Sequence, residues 1–202
     1  MASRSSRTGT GARGFTLVEL LIALAVVAIL VGMAAPSFQD TLADVRLTAE
    51  QNRLVKALRQ ARSEAIKRVG TVTLCKSDDG GACGGSWGDG WLLFAETAAA
   101  GTLGNFDAGD TRIAAHRSSP GQFRSAASAT LRPNGPAAVD SISFGARGRA
   151  DWTLGTLVLC DRRDELEARA IIVNGAGGLR SQKPGSGTTV LDANGNAVSC
   201  PA

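Results

Sequence analysis

Apolar residues are spread unevenly along this chain. From Phe15 to Ala35 the sequence FTLVELLIALAVVAILVGMAA carries one charge, Glu19. At about 1.5 Å per residue this stretch makes roughly 30 Å of helix, close to one hydrocarbon thickness. Pro36 follows, where a helix bends or loosens, and the pattern then changes from continuous to striped. Leu47, Leu54, Leu58, Ala61, Ala65 and Val69 fall within about 80° of one another on a helical wheel. Asn52, Lys56, Gln60, Ser63 and Lys67 lie opposite. The spacing predicts a helix with one packed face and one solvated face, stopped by Gly70. One long helix from Phe15 to about Val69 is therefore expected. Residues 15–35 are suited to lipid and residues 36–69 to packing on a domain.

Beyond Gly70 the texture becomes short β-like runs between Gly, Pro, Asp and Asn. Expected strands are Thr71–Cys75, Trp91–Phe94, Arg112–Ala115, Ala129–Arg132, Ser141–Phe144, Gly155–Cys160, Ala168–Val173 and Thr188–Leu191. None has helical periodicity. The reading is an α+β chain in which residues 70–202 form a β-rich domain, with one mainly antiparallel sheet or two small ones. Residues 97–110 and 183–187 read as flexible loops. Trp87 and Trp91 flank Gly-Asp-Gly and read as core anchors beneath a disulfide.

Charge adds an orientation. The first fourteen residues hold Arg4, Arg7 and Arg13 and no acid. Basic residues before an apolar span keep that end cytoplasmic. A single pass through an inner membrane would then leave everything after residue 36 outside it. The formal charge is +4, and removing the three leader arginines leaves +1. So mild a surplus permits an acidic partner without arguing for one.

The exported compartment suits the four cysteines, Cys75, Cys83, Cys160 and Cys200. Three pairings are open. Cys75–Cys83 with Cys160–Cys200 is favoured, because the first would lock a turn-rich loop and the second would tether the tail. Closing the longer loop is worth about 4 kcal/mol in the chain-entropy model. The spacing is poor for zinc.

A carboxylate at the fifth apolar position is the feature a plain signal sequence or signal anchor leaves unexplained, since it costs about 3 kcal/mol in lipid. A secretory signal would also have a shorter core than this one, and Met33-Ala34-Ala35 is only a passable cleavage site. The segment Gly14-Phe15-Thr16-Leu17-Val18-Glu19 resembles the class III signal of type IV pilins and type II secretion pseudopilins. That resemblance implies a leader of residues 1–14, cut after Gly14 by a prepilin peptidase, and N-methylation of Phe15. It also implies pairing of Glu19 with the amino group of Phe15 on a neighbouring subunit. Two charges that are each unfavourable in lipid would then neutralise one another only on assembly.

The stretch from Leu74 to Trp91, a Cys-loop-Cys followed by W-x-x-G-W, resembles the GspH/FimT family. Arg132-Pro133-Asn134-Gly135, the run from Gly155 to Asp161, and the run from Ala168 to Gly177 agree with it. Among relatives it is most similar to FimT/FimU-type minor pilins. The resemblance implies the pilin lollipop, a helix packed on a β-rich head. It further implies a non-catalytic subunit at or near a pilus tip in a Gram-negative bacterium. Partners would be other major and minor pilins, the peptidase, the inner-membrane assembly platform and membrane lipid. The same resemblance allows an H-type pseudopilin of type II secretion.

DNA is the alternative partner. Some FimT-type relatives carry G-R-x-R on a strand turn, where arginines can grip phosphates without reading sequence. The matching positions are Gly177-Gly178-Leu179-Arg180, so Gly178 replaces the first arginine. Arg180 and Lys183 remain as candidates. Arg147 with Arg149, and Arg162 with Arg163, are further basic pairs. Gly84-Gly85-Ser86-Trp87-Gly88 matches the serine-hydrolase string but lies in a glycine-rich loop, and His116 is the lone histidine. Asp192-x-Asn194-x-Asn196 starts like a calcium loop, but the chain ends before a twelfth-position Glu. No enzyme, cofactor or metal is expected.

Overall fold

The computed structural model describes residues 14–97, 103–119, 121–131, 139–161, 163, 168–183, 191 and 195. Two units are distinguished, Met1–Leu42 and Ala43–Ala202.

One helix, α1, runs Leu17–Arg68, through Pro36. It starts where Thr16 accepts a hydrogen bond from the Glu19 amide at 3.2 Å. The first unit's apolar residues from Phe15 to Met33 are exposed within the protein. In the second unit the stripe is realised: Leu47, Leu54, Leu58, Ala61 and Ala65 are buried, and the opposite positions Asn52, Lys56, Ser63 and Lys67 are exposed. Each buried leucine is worth about 2 kcal/mol.

The end of the helix differs from expectation. Val69 is 78 % exposed and has φ +53°. Its amide bonds to Ile66 O at 3.3 Å, and that of Gly70 reaches back to Ala65 O at 3.2 Å. These are the two bonds of a Schellman cap. The left-handed residue is therefore Val69, one position before the glycine that should occupy it.

Eight strands follow: β1 Val72–Lys76, β2 Gly90–Ala95, β3 Thr111–Arg117, β4 Arg124–Leu131, β5 Ser141–Phe144, β6 Trp152–Cys160, β7 Arg169–Asn174 and β8 Leu179–Gln182. They form two four-stranded sheets, ordered β3-β2-β1-β5 and β4-β6-β7-β8. Every pairing is antiparallel. The α+β class and the two-small-sheets alternative both hold. β4 begins earlier than the sequence pattern predicts, and β8 is a strand that the pattern does not signal. The expected strand Thr188–Leu191 lies, apart from Leu191, outside the described residues.

Period-two alternation sorts the side chains into layers. Val72, Leu74, Trp91, Leu93, Ile142 and Phe144 of the first sheet join Leu157, Leu159, Ile171 and Val173 of the second against the helical stripe. The other face of the first sheet carries Cys75, Leu92 and Phe94, covered by Cys83 and Phe106. The tryptophans are thus core residues but do not lie beneath the disulfide. Cys75 pairs across the ladder with Leu92, and Trp91 with Lys76, so the disulfide and Trp91 take opposite faces.

Candidate functional site

The N-terminal segment is built by local chemistry. Thr16 is followed three residues later by Glu19, the spacing of a capping box. The Thr16 carbonyl accepts from the Leu20 amide at 3.1 Å, and its hydroxyl accepts from that of Glu19. A carboxylate in a first helical turn also faces the positive end of the helix dipole. Gly14 and Phe15 lie immediately before this cap, in non-helical backbone. The Thr16-x-x-Glu19 spacing is a signal of this helix start in the sequence itself.

Where α1 enters the second unit, Asp44 is held by two cations. Arg169 of β7, fully buried, ion-pairs with it, and Lys183 Nζ lies 3.0 Å from Asp44 Oδ2. Burial works against the charged carboxylate. The Lys183 hydrogen bond and the two positive charges outweigh it and hold Asp44 below its ordinary value. Two turns on, Glu50 is only 3 % exposed. It accepts from Arg53 and from the Ser118 hydroxyl, each at 3.0 Å. His116 Nε2 comes within 2.9 Å of Glu50 Oε1, outside hydrogen-bond angles. These buried charges were not legible as a set, because their partners are far apart in sequence.

The Cys75–Cys83 disulfide is formed, with Cα atoms 5.7 Å apart. Within its loop Asp79 accepts from the Gly81 and Ala82 amides at 2.6 and 2.9 Å, which lowers its pKa. Cys160 is also disulfide-bonded. Cys200, its expected partner, lies outside the described residues, as do Arg132-Pro133-Asn134-Gly135, Arg162, Asp192, Asn194 and Asn196.

Of the two candidate DNA residues, Lys183 is engaged by Asp44, whereas Arg180 is exposed on the edge strand β8. Arg163 is paired with Asp161 at 2.6 Å. The turn Asn174–Gly178 before β8 is anchored by Arg62, which donates to Gly177 O at 2.9 Å and Ala176 O at 3.1 Å. Ser86 of the hydrolase-like string sits in the loop before β2 and shares a 2.7 Å hydrogen bond with Ser125 of β4, while His116 faces Glu50. Among the described residues no group of three or more His, Cys, Asp or Glu is placed to hold a metal.

An unburied apolar helix capped at Thr16 and continued into an antiparallel head defines a pilin-type subunit. Residues 10–35 match the prokaryotic N-terminal methylation motif. Residues 50–177 match the family described as type II transport protein GspH, and the chain belongs to that family. Its members are pilin and pseudopilin structural subunits of type IV pili and type II secretion systems. Such subunits assemble with other pilins and are processed by prepilin peptidase.

A comparison with curated proteins finds no match. Among solved structures, the type IV minor pilin FimU of Pseudomonas aeruginosa strain PAO1 is similar at 18 % identity and TM-score 0.49, covering 68 % of this chain and 88 % of that one. The minor pseudopilin EpsH of the Vibrio cholerae type 2 secretion system is similar at 15 % identity and TM-score 0.47, covering 69 % and 98 %.

Proposed function

We propose that this chain is a minor pilin of the FimT/FimU kind, a non-catalytic subunit that enters a type IV pilus at or near its tip. Residues 1–14 form the leader, cut between Gly14 and Phe15, and Phe15 is then methylated. Residues 15–35 hold the subunit in the inner membrane before assembly and in the filament core after it. Residues 36–69 carry the helix into a periplasmic domain of residues 70–202.

The observation that carries this reading is Glu19 at the capped start of an apolar helix whose side chains the protein itself leaves unburied. A carboxylate there is costly in lipid. It gains a partner when the Phe15 amine of an adjacent subunit comes alongside. Sheared filaments provide the test. Glu19→Ala is expected to be cleaved and membrane-bound yet absent from them, and normal incorporation would sink the pairing. Mass spectrometry of the mature protein should find N-methylated Phe15, whereas an intact Met1 would remove the prepilin reading.

The description of the matched family favours a second reading, the H-type pseudopilin of type II secretion. Gene neighbours decide between the two. For a nucleic-acid role Arg180 and Lys183 are both exposed, and Lys183 is paired with Asp44.

A further inference from the structure

Three segments of the second unit meet at the C-terminal end of α1. Gly148, with φ +68°, sits so tightly that a Cβ there would come within 2.8 Å of Ile66 Cδ1 and 3.0 Å of Arg62 Nε. Gly177, with φ +78°, would place a Cβ 2.1 Å from Gly148 O. Arg62 binds two carbonyls of the 174–178 turn, as described above. The β5–β6 turn, the β7–β8 turn and the helix are therefore locked together as a preformed platform.

That platform is cationic and partly apolar. Arg59, Arg62, Ser63, Ile66, Gly177 and Leu179 line a shallow depression of about 230 Å³. Arg147 and Arg149 flank Gly148, whereas Arg180, opposite Ile172, takes the other face of the second sheet from Leu179. Arg59, Arg147 and Arg149 are all exposed, and none forms an ion pair among the described residues. The acids nearest in sequence are engaged. Glu64 holds Lys67 and Arg68, and Asp151 accepts from the Ser143 amide. Ile66, 48 % exposed, lies among these arginines.

We propose that this surface docks an acidic segment of a neighbouring pilin-type subunit, a step that rests on the pilin reading above. Guanidinium forks match carboxylates in paired hydrogen bonds. Arginine around an aliphatic floor is the composition of a protein interface, in which lysine is depleted. Sequence-independent capture of single-stranded nucleic acid would call for exposed aromatic rings on which bases stack. Among the described residues this surface has none. Duplex binding would call for many phosphate contacts, which a mature chain of charge near +1 supplies poorly.

The test uses the full chain in cells that assemble the filament, with Ser63 replaced by a photoreactive phenylalanine derivative. An otherwise identical control carries the probe at Asn105, in the loop beyond β2. Expected is a covalent adduct from position 63 to an acidic peptide of another subunit bearing the N-terminal methylation motif, and none from position 105. Arg59→Glu with Arg147→Glu should cut the adduct about tenfold, equivalent to ~1.4 kcal/mol. A nuclease-sensitive adduct, a protein adduct indifferent to charge reversal, or no adduct from a processed and incorporated chain each overturns the docking surface alone. A chain that is neither cleaved nor incorporated removes the pilin reading as well.

Discussion

Asp44 and Arg169 stand 125 residues apart in the chain and form an ion pair in which the arginine is 1 % exposed. The pair ties the first turns of the packed helix to the second sheet through β7. Breaking a fully buried pair by removing one partner costs about 3–5 kcal/mol. Asp44 is 31 % exposed, so water offsets part of that. Asp44→Ala is expected to lower stability by about 2 kcal/mol. Lys183→Ala, which removes only the exposed partner, should cost less than about 1 kcal/mol. Thermal unfolding of the full chain in detergent orders the two.

Two carboxylates give opposite pH responses. Asp44 is held below its ordinary 3.8, so its contribution is complete above that value and is lost as pH falls beneath it toward the lower folded pKa. Glu96 is raised above 4.5, first by burial and then by Asp110 and Asp107, against hydrogen bonds from Thr73 and Gly104. Its contribution is complete below 4.5 and is lost as pH rises through its folded pKa. Glu96→Gln keeps an acceptor for Thr73 and Gly104 without the charge. It should raise the melting temperature at neutral pH and leave it unchanged at pH 3. An equal rise at both would refute the assignment.

Val69 bears the left-handed conformation that a helix end usually gives to glycine. That geometry costs a β-branched residue about 1–2 kcal/mol, and glycine gives back roughly half through its greater unfolded-state entropy. Little burial is lost, because the side chain projects outward. Val69→Gly should stabilise the protein by about 0.5 kcal/mol. Val69→Ala, which keeps a Cβ, should not. Urea midpoints at constant slope would show the difference.

The parts of this fold that follow local periodicity were legible beforehand. Leu47 to Ala65 repeat at helical spacing, and seven of the eight strand signals correspond to observed strands. Val69 continues the same repeat on paper, but the chain leaves the helix one residue early, which hydrophobic spacing cannot encode. β8 leaves no signal in the sequence, because Leu-Arg-Ser-Gln has no apolar alternation and is a strand only through its pairing with β7. At the candidate site Glu19 was evident as a charge in an apolar run, and Thr16 could have been found from the capping spacing. Asp44, Glu50 and Arg169 could not have been matched with their partners, since long-range ion pairs leave no local signal. Lys183 looked like a surface cation until the fold brought it to Asp44.

The glycine that interrupts the arginine motif before β8 has a structural reason. At Gly178 a Cβ would lie 2.8 Å from Asn174 Nδ2 and 3.1 Å from Oδ1. That oxygen accepts from the Ala176 amide at 3.1 Å and the Gly178 amide at 2.9 Å. The obstacle is space and not backbone, since Gly178 is not among the glycines with positive φ. Gly178→Arg must therefore displace Asn174 and release its two hydrogen bonds, at about 1 kcal/mol each. A loss of about 2 kcal/mol is expected in the natural background and near none in Asn174→Ala, where the side chain is already gone. Residues that share a contact couple in this way, and a double-mutant cycle isolates the term. Equal losses in both backgrounds would mean that the asparagine does not decide this position.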